Sequence, residues 1–175
     1  MDEFMALRDT VVDGMREQRW IGHVRGTPIC QLMILPSFED MVCWDAIDAH
    51  VGRQTTEMRL YRTCWLQEVD GEALNSPVER MKHPRPYPPS LEIGSVPIDK
   101  DKLQAIVARA IATPVPLAVA EAPLGLDGTN FELAFGHFFC QARLAWWCDL
   151  PQEWQALTPL VADLSSLFES TWKRE

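Results

Sequence analysis

No stretch of this sequence approaches the roughly 20 consecutive apolar residues that a membrane-crossing helix needs. Met1, Asp2, Glu3 and Phe4 have neither the basic start nor the apolar core of a secretory signal, so a cytoplasmic location is expected. The nine glycines form no GxGxxG and no GxxxxGK, which excludes a standard glycine-rich phosphate cradle. Neither Ser37 nor Ser76 lies in the GxSxG turn of a serine hydrolase. The four histidines (His23, His50, His83, His137) are scattered without HxH or HExxH, and the five cysteines (Cys30, Cys43, Cys64, Cys140, Cys148) contain no CxxC. The local pairs from which zinc sites are built are therefore missing, and no metal or other cofactor is expected. Basic residues are in the minority, 16 against 25 acidic ones, for a net charge of −9. That charge repels nucleic-acid phosphates and favours a basic protein surface, although solubility alone accounts for it equally well.

What is present is a globular composition. Apolar residues are 47% and charged residues 23% of a 175-residue chain, enough for one self-sufficient core and too short for two. A single domain spanning residues 1–175 is expected. The odd cysteine count, with most of the cysteines in apolar strand-like runs, reads as buried thiols in a reducing compartment rather than a disulfide framework.

Along the chain, Phe4, Leu7, Val11, Val12 and Met15 repeat at helical spacing from Asp2 to about Gln18. Strands follow at Ile29 to Leu35, closed by Pro36, and at Met41 to Ile47. A longer one runs from Glu57 to Val69, ended by Asp70 and Gly71. Ser76, Pro77 and Glu79 form a capping box for a short helix, and the prolines around Tyr87 fit only an extended connection. Ser90 to Ile98 reads as a strand, and Asp99 caps a helix carrying Leu103, Ile106, Val107, Ala110 and Ile111. The last third predicts a three-stranded meander over Leu117 to Ala122, Asn130 to Gly136 and Phe139 to Trp147, with turns at Asp127 to Asn130 and at Gly136 and His137. A short helical turn and a longer C-terminal helix carrying Leu160, Leu164, Phe168 and Trp172 close the chain. The fold class this implies is α+β: a mainly antiparallel sheet of about six strands with an N-terminal, a middle and a C-terminal helix packed on it.

Few residues point to chemistry. Cys140 lies three residues after His137, but odd spacing on a strand puts the two on opposite faces unless His137 is in the turn. With Arg143 they form the set on which an enzyme or ligand-binding reading would rest. The glutamates Glu57, Glu68, Glu92, Glu121 and Glu132 supply no distances and are given no catalytic role. Adjacent Trp146 and Trp147 must face opposite sides of a strand, one into the core and the other toward the C-terminal helix near Trp154 or toward a partner. Arg80, Lys82, His83, Arg85 and Tyr87 form the chain's local basic cluster, either a solvated loop or a recognition loop. Arg80, Lys82, Arg85, Tyr87, Trp147 and Trp154 are accordingly the candidate partner-binding residues.

Asp127-Gly128-Thr129, Phe131-Glu132-Leu133, Arg143, Trp146-Trp147, Pro151 and Trp154 together resemble a pattern found in small uncharacterised bacterial proteins. Small acidic α+β bacterial proteins of this size include immunity proteins, which bind and block a toxin. By that analogy the chain is expected to be a non-enzymatic protein-binding domain, in its sharpest form an immunity-type protein that neutralises a cognate basic toxin. The alternatives are a small enzyme or ligand binder with a non-local pocket, and an obligate subunit of a larger assembly with its tryptophan surface hidden.

Overall fold

The computed structural model describes residues 2–22, 24–51, 55–82, 86–119, 127–137 and 140–173, with the side chains of Asp2, His137 and Cys140 excepted. The order of elements is α1 (Asp2–Arg16), β1 (Gly26–Pro36), β2 (Met41–His50), β3 (Thr56–Trp65), α2 (Gln67–Asn75), α3 (Pro77–Lys82), β4 (Leu91–Pro97), α4 (Lys100–Ala112), β5 (Thr129–His137), β6 (Cys140–Trp147), a 3-10 turn (Gln152–Leu157) and α5 (Thr158–Trp172). The strands form one antiparallel sheet in the order β4-β3-β2-β1-β5-β6. This is the expected α+β architecture.

Both faces of the sheet are covered. On one, Leu32, Trp44, Ala46, Leu60, Leu133 and Trp146 pack against Leu103 and Ile106 of α4 and Leu160, Leu164 and Phe168 of α5. On the other, Met33, Leu35, Met41, Cys43 and Trp65 pack against Leu7, Val11, Val12 and Met15 of α1 and Leu74 of α2. Successive strand side chains point to opposite faces, so the neighbours Leu32 and Met33, or Cys43 and Trp44, are buried in different layers. That explains the near-continuous apolar run in β1, which a half-exposed strand would interrupt with polar residues. Each fully buried large side chain, Trp65 or Phe168 among them, contributes about 1.5–3 kcal/mol by leaving water.

The helix ends obey their sequence signals. Asp99 Oδ1 accepts from Lys102 N at 3.1 Å, and Ser76 Oγ accepts from Glu79 N at 3.4 Å. At the sheet edge, the Trp172 ring lies over Gly94 of β4, where a Cβ would come within 2.8 Å of it. The Arg62 guanidinium stands 5.6 Å from the Trp44 ring centre and 5.7 Å from that of Trp172, a cation–π arrangement that pins the end of α5.

Three expectations need correction. The strand read from Glu57 to Val69 ends at Trp65, and Gln67–Asn75 is a helix. Its first amide, Gln67 N, is satisfied by Asp40 Oδ1 at 3.0 Å, a cap supplied from another part of the chain and therefore absent from local sequence. Of the meander expected in the last third, β5 and β6 are described, residues 117–119 are irregular, and 120–122 lie outside the described residues. Cys148 also departs from the buried-thiol reading: it is exposed and sits at φ 53° just past β6.

Candidate binding groove

Pro36 ends β1, and the turn that follows is held by its backbone and its polar side chains. Ser37 N and Oγ both donate to the Gly128 carbonyl, at 2.9 and 3.0 Å, and Gln67 Nε2 donates to the Ser37 carbonyl at 3.0 Å. None of these bonds uses Phe38, whose ring is left 77% exposed. Gly128 also admits Trp147: a Cβ there would come within 2.5 Å of Cys148 Sγ and 2.9 Å of the Trp147 ring. The turn, the start of β5 and the end of β6 are thus tied at one point.

Around that point Phe4, Met5 and Arg8 of α1, Ser37 and Phe38 of the turn, Gln67 and Glu68 of α2, and Trp147 line an open groove of about 670 Å³. Phe4 is fixed from behind by stacking on Trp65, ring centres 5.6 Å apart. The lining includes three aromatic rings, one guanidinium, Arg8, and one carboxylate, Glu68. A concave, mainly apolar surface with a few charged groups is the form binding sites take.

A second constellation lies under the C-terminal end of α1. Glu132, 2% exposed, accepts from Arg16 Nε at 3.0 Å and from Arg143 Nη1 at 3.0 Å. Arg143 Nη2 continues to Gln31 Oε1 at 2.9 Å, and Gln31 Nε2 to Asp45 Oδ1 at 2.7 Å. Gln18 Nε2 also donates to Asp45 Oδ1, at 2.8 Å, and the Cys43 thiol stands 3.3 Å from Asp45 Oδ2. Burial, reinforced by the Asp45 charge, pushes the Cys43 thiol well up, so it stays protonated and unreactive. Burial also pushes the Asp45 carboxyl up, against the hydrogen bonds from Gln18 and Gln31. Every polar group here is spent on another, closing a structural network rather than presenting one to a substrate. Among the described residues no group of three or more His, Cys, Asp or Glu side chains could hold a metal.

The structure separates the candidate partner-binding residues. Trp147 lies in the groove, while Trp154 is 6% exposed and its indole donates to the Pro116 carbonyl at 3.0 Å, so it packs in the core. Of the basic cluster, Arg80 pairs with Glu3 of α1, and Lys82 with Glu79 at 2.6 Å. Tyr87 is half-buried against the α1-side core, and burial, then the nearby Asp70 charge, raises its hydroxyl. Arg85 and His83 lie outside the described residues. His137 and Cys140 are cross-strand partners, but their side chains lie outside the described ones, and Arg143 belongs to the Glu132 network. Sequence reasoning missed Phe4, Met5, Phe38 and Glu68. An aromatic in a tight polar turn, Ser37-Phe38-Glu39-Asp40, was the available signal for Phe38.

The resemblance motif is explained internally by the hairpin. Phe131 stacks on Trp146 at 5.5 Å and 11°, Glu132 binds Arg143, and Gly128 seats Trp147. No family model matches the chain, and neither a curated protein nor a solved structure does.

Proposed function

We propose that this chain is a non-enzymatic protein-binding domain, in its sharpest form a bacterial immunity-type protein that binds and neutralises a cognate basic toxin. One observation carries the reading: the groove sets an exposed aromatic, Phe38, beside Trp147 and Met5 on a molecule of net charge −9. Aromatic side chains in a concave setting are the residues from which binding hot spots are made, and an acidic surface speeds encounter with a cationic partner. Arg143, one of the three residues on which an enzymatic reading would rest, is committed to Glu132 and Gln31.

The test is affinity capture of the tagged protein from its native host at low and high salt, followed by titration of the purified pair. A one-to-one complex with a basic protein, weakened about tenfold or more between low and high salt, and loss of that partner's toxicity on co-expression are expected. Absence of a basic partner at low salt sinks the reading.

A further inference from the structure

We infer, resting on the protein-binding reading, that the Phe38–Trp147 groove is the docking site and that it takes a cationic segment of the partner bearing one large apolar side chain. Phe38 carries the argument, because its ring takes no part in the bonds that hold the turn. The turn is secured by Ser37 N and Oγ on the Gly128 carbonyl and by Gln67 on the Ser37 carbonyl, while the ring stands 77% in water. Met5, 45% exposed, lines the same groove, so two of the chain's exposed large apolar side chains converge where Trp147 and Phe4 already form a wall. A solvent-exposed apolar cluster of this kind is covered when a partner binds.

The groove sets the size of the anchor: about 670 Å³, open to solvent, takes one bulky side chain with its flanking backbone. Charge fixes its sign. The lining residues and their immediate chain neighbours supply the carboxylates Glu3, Asp9, Glu39 and Glu68 against a single cation, Arg8, and only Glu3 of these is drawn off by a basic side chain from elsewhere, Arg80. Glu68 lines the groove, and Asp9 and Glu39, next in the chain to the lining residues Arg8 and Phe38, are exposed. A lysine or arginine beside the apolar anchor meets this field, and an acidic segment is repelled by it.

The experiment uses the full chain and two sets of synthetic twelve-residue peptides, each with one phenylalanine or leucine anchor, carrying four lysines in one set and four glutamates in the other. Binding is followed by anisotropy and by amide and indole NMR shifts. The lysine peptides are expected to bind at least tenfold tighter than the glutamate ones, with shifts confined to the first turns of α1, residues 37–40, Gln67, Glu68 and the Trp147 indole. Phe38→Ala and Glu68→Lys, both surface changes, are each expected to weaken binding tenfold or more with unchanged melting temperature. Asp101→Lys, at an exposed position of α4, is the control and leaves binding within twofold. Equal binding of the two peptide sets, shifts elsewhere, or equal weakening by Asp101→Lys overturns the docking site. A captured basic partner that binds Phe38→Ala and Glu68→Lys as tightly as the wild type overturns it too, yet leaves the protein-binding reading standing.

Discussion

Burial alone would raise the Glu132 carboxyl, but the hydrogen bonds and charges of Arg16 and Arg143 outweigh it and hold the group below the usual carboxylate range. A carboxylate whose folded pKa is depressed adds stability above the unfolded value, about 4.3, and loses it as pH falls through the folded pKa. Glu132→Gln removes the anion and leaves two guanidiniums facing a neutral amide, and is expected to cost roughly 1.5–3 kcal/mol at pH 7, read from urea unfolding. The variant is also expected to lose less stability than the wild type on acidification below pH 4.3. Asp45 has the opposite sign, since burial raises it and no cation bonds it directly. Its contribution is fully present below its unfolded value, about 3.9, and is lost as pH rises through the folded pKa. Asp45→Asn keeps the acceptor for Gln18 and Gln31, so its stability relative to the wild type is expected to climb between pH 4 and 8. A flat difference over that range would mean that Asp45 is charged in the fold throughout it.

The hairpin β5–β6 joins groove, network and core, and Gly128, just before β5, leaves no room for a side chain. A methyl there collides with Cys148 Sγ and with the Trp147 ring, so Gly128→Ala is expected to cost about 1–3 kcal/mol through overpacking. It should also swing Trp147 away from Phe38, seen as a changed near-ultraviolet circular dichroism band and weaker partner binding. Elements whose signals are local were legible in the sequence: α1 from its apolar spacing, α4 from Asp99, α3 from Ser76 and Pro77, and the split C-terminal helix from Pro159. Helix α2 was not, because Asp70 and Gly71 read as a stop, whereas its cap is Asp40, 27 residues away. Within it Asp70 is buried, accepting from Trp65 Nε1 at 2.6 Å and from Ser90 N at 2.8 Å. The groove was only partly legible for the same reason. Trp147 is conspicuous in any reading, but that Phe4, Met5 and Phe38 meet it depends on β1 pairing with β5, and strand order is a long-range property.

At the scale of the whole molecule, one sheet separates two cores of the described residues. The α4–α5 core and the α1–α2 core use alternate residues of the same strands, so Met33 and Cys43 belong to one while Leu32 and Trp44 belong to the other. Losing either helical layer exposes one side of every central strand and leaves Glu132 or Leu133 without its covering groups. The layers should therefore unfold together, as expected of a single cooperative domain of this size. Tryptophans report each layer separately: Trp65 lies on the α1–α2 side, and Trp44, Trp146 and Trp154 on the other. With 5-fluorotryptophan incorporated, the fluorine resonances of all four are expected to disappear at one urea concentration. An earlier midpoint for Trp65 would show that the α1–α2 layer, which carries the groove, opens on its own. The groove would then be a surface that forms and dissolves with local stability, and partner affinity would track the stability of α1 rather than that of the sheet.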